Sequence, residues 1–150
     1  MALRRVLLPA PLPLVRPAEA ADAEGLAEVL ALLGHPATAD QMRARLWASP
    51  PWRVVFVAEL DLEIAGAAVV ELSHPLHKAE REAALTALAT LGDFRHRGVG
   101  RALIFSAVAW ARRERCARLH VRAAVLSDDA LGFFKAVGFE ETHCTFDWAL

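Results

Sequence analysis

The chain has 150 residues, enough for one domain (1–150) with a real core. Hydrophobic residues make up 55% of it, which excludes a disordered chain, and a formal net charge of −1 argues against a nucleic-acid partner, which calls for a basic excess. The two cysteines, Cys116 and Cys144, show no metal-ligand spacing and read as buried thiols of a reducing compartment, so no metal is expected.

Residues 1–11 form a proline-rich lead-in. Arg4, Arg5, the apolar run after them and Ala18-Glu19-Ala20 have the outline of a cleaved signal, but Pro9, Pro11, Pro13 and Arg16 break its apolar centre. No apolar stretch reaches the roughly 20 residues needed to span a bilayer. The expectation is a soluble cytoplasmic protein with no membrane partner. Leu12, Leu14 and Arg16 alternate with Pro13 and Val15 as a short strand would, and the prolines place it at a sheet edge.

Leu26, Val29, Leu30 and Leu33 follow helical spacing, with Asp22 as the expected N-cap and Gly34 as the stop. Thr38-Ala-Asp-Gln41 has the form of a capping box and opens a second helix through Met42 and Leu46, which Ser49-Pro50-Pro51 ends. Arg53 to Leu60 is rich in Val and Phe and reads as a strand; Asp61-Leu62-Glu63 turns it into a returning strand, Ile64 to Leu72. After the polar break His74-Pro75-Leu76-His77 comes a central strand, roughly Ala83 to Leu91, alanine-rich and nearly uncharged as a strand buried on both faces should be.

The stretch that follows is the most informative. An apolar run stops at Leu91, a polar turn begins, and a helix opens inside Gly98-Val99-Gly100, with Leu103, Ala107, Val108 and Ala111 on one side. Glycines at 98 and 100 let a ligand approach the main chain, and the first turn of a helix offers unpaired N–H groups and a positive dipole end to a phosphate. Arg95, Arg97 and Arg101 add positive charge. The dinucleotide fingerprint fails because Leu103 stands where its third glycine or alanine should be, and no Gly-Lys-Ser/Thr follows to make a Walker A loop. From these residues the stretch fits either an anion cradle or an ordinary solvated turn. Arg112, Arg113 and Arg115 at the helix C-terminus suit its dipole. Beyond it come a strand from Arg118 to Ala124, a short helix capped by Ser127 or Asp128 and stopped at Gly138, and a last alternating strand from Glu140 to Trp148 with Thr142, Cys144, Phe146 and Trp148 on one face.

Arg95-x-x-Gly98-x-Gly100 resembles the acyl-CoA signature of the GNAT superfamily of N-acyltransferases, Arg/Gln-x-x-Gly-x-Gly/Ala. Ser127-Asp-Asp-Ala130-Leu-Gly-Phe133-Phe134-Lys-Ala-Val-Gly138-Phe139 is similar to that family's late helix, and Val15-Arg16-Pro17-Ala18 with Asp22-Ala23 to a common opening. The blocks keep the family's order and separation over nearly the whole chain. The resemblance implies an α/β fold with a central mixed, mostly antiparallel sheet flanked by helices and a splayed parallel strand pair at the acyl-CoA loop. It implies acetyl-CoA as co-substrate, held by Leu88, Ala89, Thr90 and Leu91, by Arg95, His96, Arg97, Gly98, Val99, Gly100 and Arg101, and by Ser127, Ala130, Phe133 and Phe134. The acceptor would be a primary amine on a small molecule or protein, shaped by the early helices with Trp47 and Trp52, which also fit ordinary packing. A homodimer paired through the last strands is allowed.

The pattern departs from the family in two places. The chain has no tyrosine, and Phe134 stands where the family's proton-donating Tyr belongs. Ala84 and Thr86 occupy the strand positions where relatives often carry Glu. The amine must lose a proton before it attacks, so another base is needed. The candidates are Glu82 at the strand entrance, Glu71 at the hairpin end and His77 in the loop after it, with His120 in a later strand. Each also fits a surface or structural role. Two further readings stay open: a binder of acyl-CoA with weak or no transfer, and a nucleotide-binding module using the same glycine turn.

Overall fold

A computed structural model describes residues 9–121, 128–142 and 149. Within them five strands form one sheet in the order β1-β2-β3-β4-β5: β1 (Leu14–Pro17), β2 (Arg53–Leu60), β3 (Glu63–Ser73), β4 (Arg81–Thr90) and β5 (Cys116–Val121). The first three pairings are antiparallel and β4–β5 is parallel. The helices are α1 (Ala23–Ala31), α2 (Ala39–Trp47), α3 (Val99–Arg113) and α4 (Asp128–Val137). This is the mixed, mostly antiparallel sheet expected, and β1 lies at its described edge as its prolines require. The expected last strand lies mainly at 143–148, outside the described residues.

Each face of the sheet has its own core. Phe56, Ala68, Val70, Ala83 and Leu85 pack with Leu103, Ile104, Ala107 and Trp110 of α3 and Phe134 of α4. On the opposite face Val57, Ala67 and Ala89 pack with Leu26 and Val29 of α1 and Met42 of α2. A bulge changes which side chains of β4 face which layer. Val69 pairs with Ala87 but Val70 pairs with Leu85, so Thr86 is the extra residue. Its hydroxyl donates to the Val69 carbonyl at 3.4 Å. Before the bulge Ala83 and Leu85 face α3; after it Leu88 does, and Ala89 turns toward α1.

Local chemistry explains the ends. The Thr38 hydroxyl accepts from the Gln41 N–H at 3.1 Å and the Gln41 side chain accepts from the Thr38 N–H at 3.0 Å, the reciprocal box the sequence predicts. Asp22 differs from expectation: it precedes α1, yet its carboxylate does not cap that helix. It accepts two hydrogen bonds from the Arg16 guanidinium, at 2.7 and 2.8 Å, and one from the Glu19 N–H at 2.7 Å. A charged bidentate partner outbids a helix N–H, so Asp22 ties α1 to β1 instead. Arg16 holds the Asp22 carboxyl below the usual carboxylate range against the opposing effect of burial. The helix itself stops at Ala31, before the Leu32–Gly34 turn, and β5 starts at Cys116 rather than Arg118 because Arg115 takes a left-handed φ of 60° that ends the preceding helix.

Candidate active site

The end of β4 and the start of α3 form one half of the site. The Leu91 N–H donates to the Ala65 carbonyl at 2.9 Å, which fixes the strand end before a single 3-10 turn, Gly92–Phe94. Phe94 is buried and anchors that turn. His96 (φ 61°) and Gly98 (φ 81°) are left-handed, and Gly98 is the N-cap of α3. The first helical bond runs from the Ala102 N–H to the Gly98 carbonyl, which leaves the N–H groups of Val99, Gly100 and Arg101 without a helical acceptor. Those donors and the positive dipole end of a 15-residue helix converge where a phosphate is favoured.

Two glycines here act differently from each other. A Cβ at Gly98 would meet nothing within 4 Å, so what that position demands is the left-handed backbone. A Cβ at Gly100 would sit 3.2 Å from Cζ of Phe133, so the missing side chain is where α4 lies against α3. A third glycine, Gly66 in β3, escaped the sequence reading. A Cβ there would come within 2.6 Å of Cγ1 of Val99 and 2.9 Å of the Ala89 carbonyl oxygen. Its bare backbone lets the first turn of α3 sit down on the sheet beside β4. A lone glycine inside a strand is itself the signal of such a close approach.

The arginines of the turn are exposed. Arg97 donates to Asp61 at 2.9 Å and lies over the Phe94 ring, and Arg101 lies over the Phe105 ring. Arg95 makes no ion pair among the described residues. Leu88, Ala89, Thr90 and Leu91 line the end of β4. From Ala87 to Thr90 that strand pairs with β3 on one side, and among the described residues no strand lies along its other edge. On α4, Phe133 and Phe134 meet edge to face at 5.4 Å, and Phe134 meets Phe139 at 5.5 Å. Phe134 is buried in the core and Phe133 half-buried against Gly100. Ala130 is half-buried on the same helix, and Ser127 lies outside the described residues.

The candidate bases lie at the other end of β4. Glu82 is eight residues before Thr90, about 26 Å along an extended strand. The register runs Arg53↔Glu71, Glu71↔Ala84 and Ala84↔His120, one row across four strands. All four alternate with residues packed on α3, so they share the face that carries α1 and α2. Glu71 accepts from Arg53 Nε at 2.7 Å. Glu82 lies on the same face, with Oε2 3.3 Å from Nε2 of His120 and Oε1 2.5 Å from Nζ of Lys78. The Lys78 hydrogen bond, helped by His120, keeps the Glu82 carboxyl below its ordinary range although burial opposes this. A cavity of about 350 Å³ is lined by Lys78, Glu80, Glu82, Arg118 and His120. His77 is exposed in the connection between β3 and β4, next in sequence to Lys78. Trp47 is 93% exposed and Trp52 46%, with Arg53 over the Trp52 ring at 5.1 Å.

A sequence model of the Acetyltransferase (GNAT) family matches residues 25–139. The chain belongs to the GNAT acetyltransferase family. No curated protein matches it in sequence. Solved structures share the GNAT fold at low identity. A protein of Agrobacterium tumefaciens str. C58 described as an acetyltransferase superposes with a TM-score of 0.82 at 22% identity, covering 91% of this chain and 99% of its own. AAC(6')-Iy, solved with the bisubstrate analogue CoA-S-monomethyl-acetylneamine, gives 0.81 at 21% identity over 93% and 99%. Glucosamine-6-phosphate N-acetyltransferase from Arabidopsis thaliana gives 0.80 at 16% over 93% and 99%. Among the described residues no helix is long and apolar enough to cross a membrane, and no group of three or more His, Cys, Asp or Glu is placed to hold a metal ion.

Proposed function

We propose that this GNAT protein is an N-acetyltransferase that moves an acetyl or small acyl group from acetyl-CoA to a primary amine on a small molecule or protein. The observation that carries the reading is the left-handed Gly98 cap. It leaves three N–H groups at the start of α3 without a helical acceptor, beside an edge of β4 that no strand among the described residues covers. Arg95, Arg97 and Arg101 stand in the same turn and first helical residues, and Gly66 seats the start of α3 on the sheet. A diphosphate fits such a donor set. The edge of Leu88–Leu91 offers backbone groups to an extended arm in the manner of an added strand. The two halves of the site lie about 20 Å apart along β4, from Thr90 to Ala84. An elongated ligand, anionic at one end and reactive at the other, is what that separation calls for.

When bound, acetyl-CoA supplies an activated thioester whose thiolate leaves readily. The chain's own work is to bind, orient and manage protons. The α3 start and its arginines hold the anionic end, with His96 and Val99 in the same turn. Phe133 and Phe134 wall the site on the α4 side, where Ala130 and Ser127 belong to the same block. The face bearing Glu71 and Glu82 receives the amine and provides the groups that take its proton. His77, exposed in the loop beside Lys78, is the remaining candidate for that role. The small amines named with the aminoglycoside and glucosamine-6-phosphate enzymes set the first acceptors to try.

Phe134 favours a second reading, acyl-CoA binding with little transfer. Its ring is buried in the core and has no proton to donate, and the chain contains no tyrosine to replace it. Calorimetry with acetyl-CoA, followed by a thiol-release screen over aminoglycosides, hexosamine phosphates and peptide amines, separates the two. Saturable binding with release supports the transferase, binding without release the binder, and no binding overturns both.

A further inference from the structure

The proton that an amine must lose needs one acceptor, and β4 and β5 bring two groups together for it. Glu82 and His120 are 38 positions apart in sequence, but the parallel pairing sets Glu82 opposite Arg118 and Ala84 opposite His120. Glu82 and His120 therefore project from one face, one step apart on neighbouring strands, and their side chains meet at 3.3 Å. Ala84, directly beside His120 in the register, carries only a methyl group. The imidazole is 29% exposed and the carboxylate 13%, so one reaches solvent in the cavity while the other stays largely beneath it.

We infer that His120 is the residue that takes the proton from the acceptor ammonium, and that Glu82 is a positioning residue that orients the imidazole. This rests on the transferase reading above. The step is a simple transfer. An ammonium N–H bond breaks, its electron pair stays on the amine nitrogen, and an N–H bond forms on the imidazole. Solvent takes the proton from the imidazolium after the acyl group has moved. Glu82 is the poorer acceptor of the two, because Lys78 already neutralises part of its charge and keeps it ionised. A carboxylate held in that state acts on the imidazole as an anchor: it accepts the Nε2–H and stabilises the charged ring once formed. Glu71 on β3 is engaged by Arg53 on the adjacent β2, and among the described residues Lys78, Glu80 and Arg118 also line the cavity.

The test has two arms. The first needs neither cofactor nor amine: side-chain nitrogen NMR of the full-length protein. The proposal expects neutral His120 as the Nε2–H tautomer, and Glu82→Gln to disturb that preference. A His120 signal indifferent to Glu82→Gln overturns the orienting role. The second arm measures kinetics with an amine found by the screen, using His120→Asn and His120→Gln, each checked by thermal melting. The expected result is a fall of about 100-fold or more in kcat/KM near neutral pH. The acidic limb should shift toward the pKa of the free amine, and the acetyl-CoA Kd should stay within about twofold. Folded His120 variants that keep both rate and acidic limb overturn this inference alone. Wild-type protein that fails to bind acetyl-CoA overturns the transferase reading and takes the inference with it.

Discussion

Gly66→Ala tests how the cofactor end of the site is built. The added methyl carbon would stand 2.6 Å from Cγ1 of Val99, 2.9 Å from the Ala89 carbonyl oxygen and 3.2 Å from Cδ1 of Leu103. Val99 and Leu103 are 1% and 0% exposed, so neither has room to retreat. The oxygen is backbone and moves only with β4. Overpacking of this kind costs about 1–3 kcal/mol. Replacing glycine by alanine returns about 0.4–1 kcal/mol by restricting the unfolded chain. The two terms together give a net loss of roughly 0–2.6 kcal/mol, centred on about 1.3, or a Tm fall of up to roughly 10 °C for a domain of this size. Because the contact is with the first residue of α3, acetyl-CoA affinity should fall as well. Thermal melting and calorimetry read the two effects. Adding Val99→Ala removes the nearest clash, so the double variant should be more stable than the sum of the singles by at least about 0.5 kcal/mol. Gly92→Ala, with nothing within 4 Å and no left-handed backbone, is the control and should leave both readings near wild type. A Gly66→Ala protein with unchanged Tm and unchanged affinity would refute the reasoning.

Gly98→Ala forces a side chain into φ 81° and should cost about 1–2 kcal/mol by denaturant unfolding, with acetyl-CoA binding weakened by the same change of backbone; equal stability would deny the left-handed cap. Asp22→Asn breaks a part-buried bidentate pair and should destabilise the fold by about 1–3 kcal/mol at neutral pH. Since the Asp22 carboxyl is held low in the folded state, its contribution is complete above the unfolded aspartate pKa and is lost as pH falls through the folded value. The gap between wild type and variant should close on acidification, and a gap that widens instead would contradict the assignment. Arg95→Gln should weaken acetyl-CoA by about 1 kcal/mol, roughly fivefold, and flatten the salt dependence of Kd; an unchanged salt slope would remove Arg95 from the anion site.

What the sequence disclosed was mainly what is local. Thr38 and Gln41 are three residues apart and satisfy each other's backbone, so their box could be read directly. The β2–β3 hairpin and the helix opening at Gly98 follow from turn residues and apolar spacing. Asp22 was misjudged because its partner Arg16 lies on a strand, where no helix-cap rule looks. The bulge at Thr86 was invisible too, although it decides which residues of β4 face each layer. Gly66 stood in plain view but acquires meaning only when α3 returns to the sheet 33 positions later. Glu82 and His120 could each be named as a candidate base, yet no one-dimensional pattern joins them. Their contact depends on the parallel register of β4 and β5, including the irregularity between Arg81 and Glu82.

The most direct measurement is a backbone amide NMR titration of the wild-type protein with acetyl-CoA. If main-chain donors at the start of α3 hold the diphosphate, the Gly98, Val99, Gly100 and Arg101 amides shift together along one saturable curve. Shifts scattered elsewhere on the protein, with those four amides unmoved at saturation, would contradict that claim.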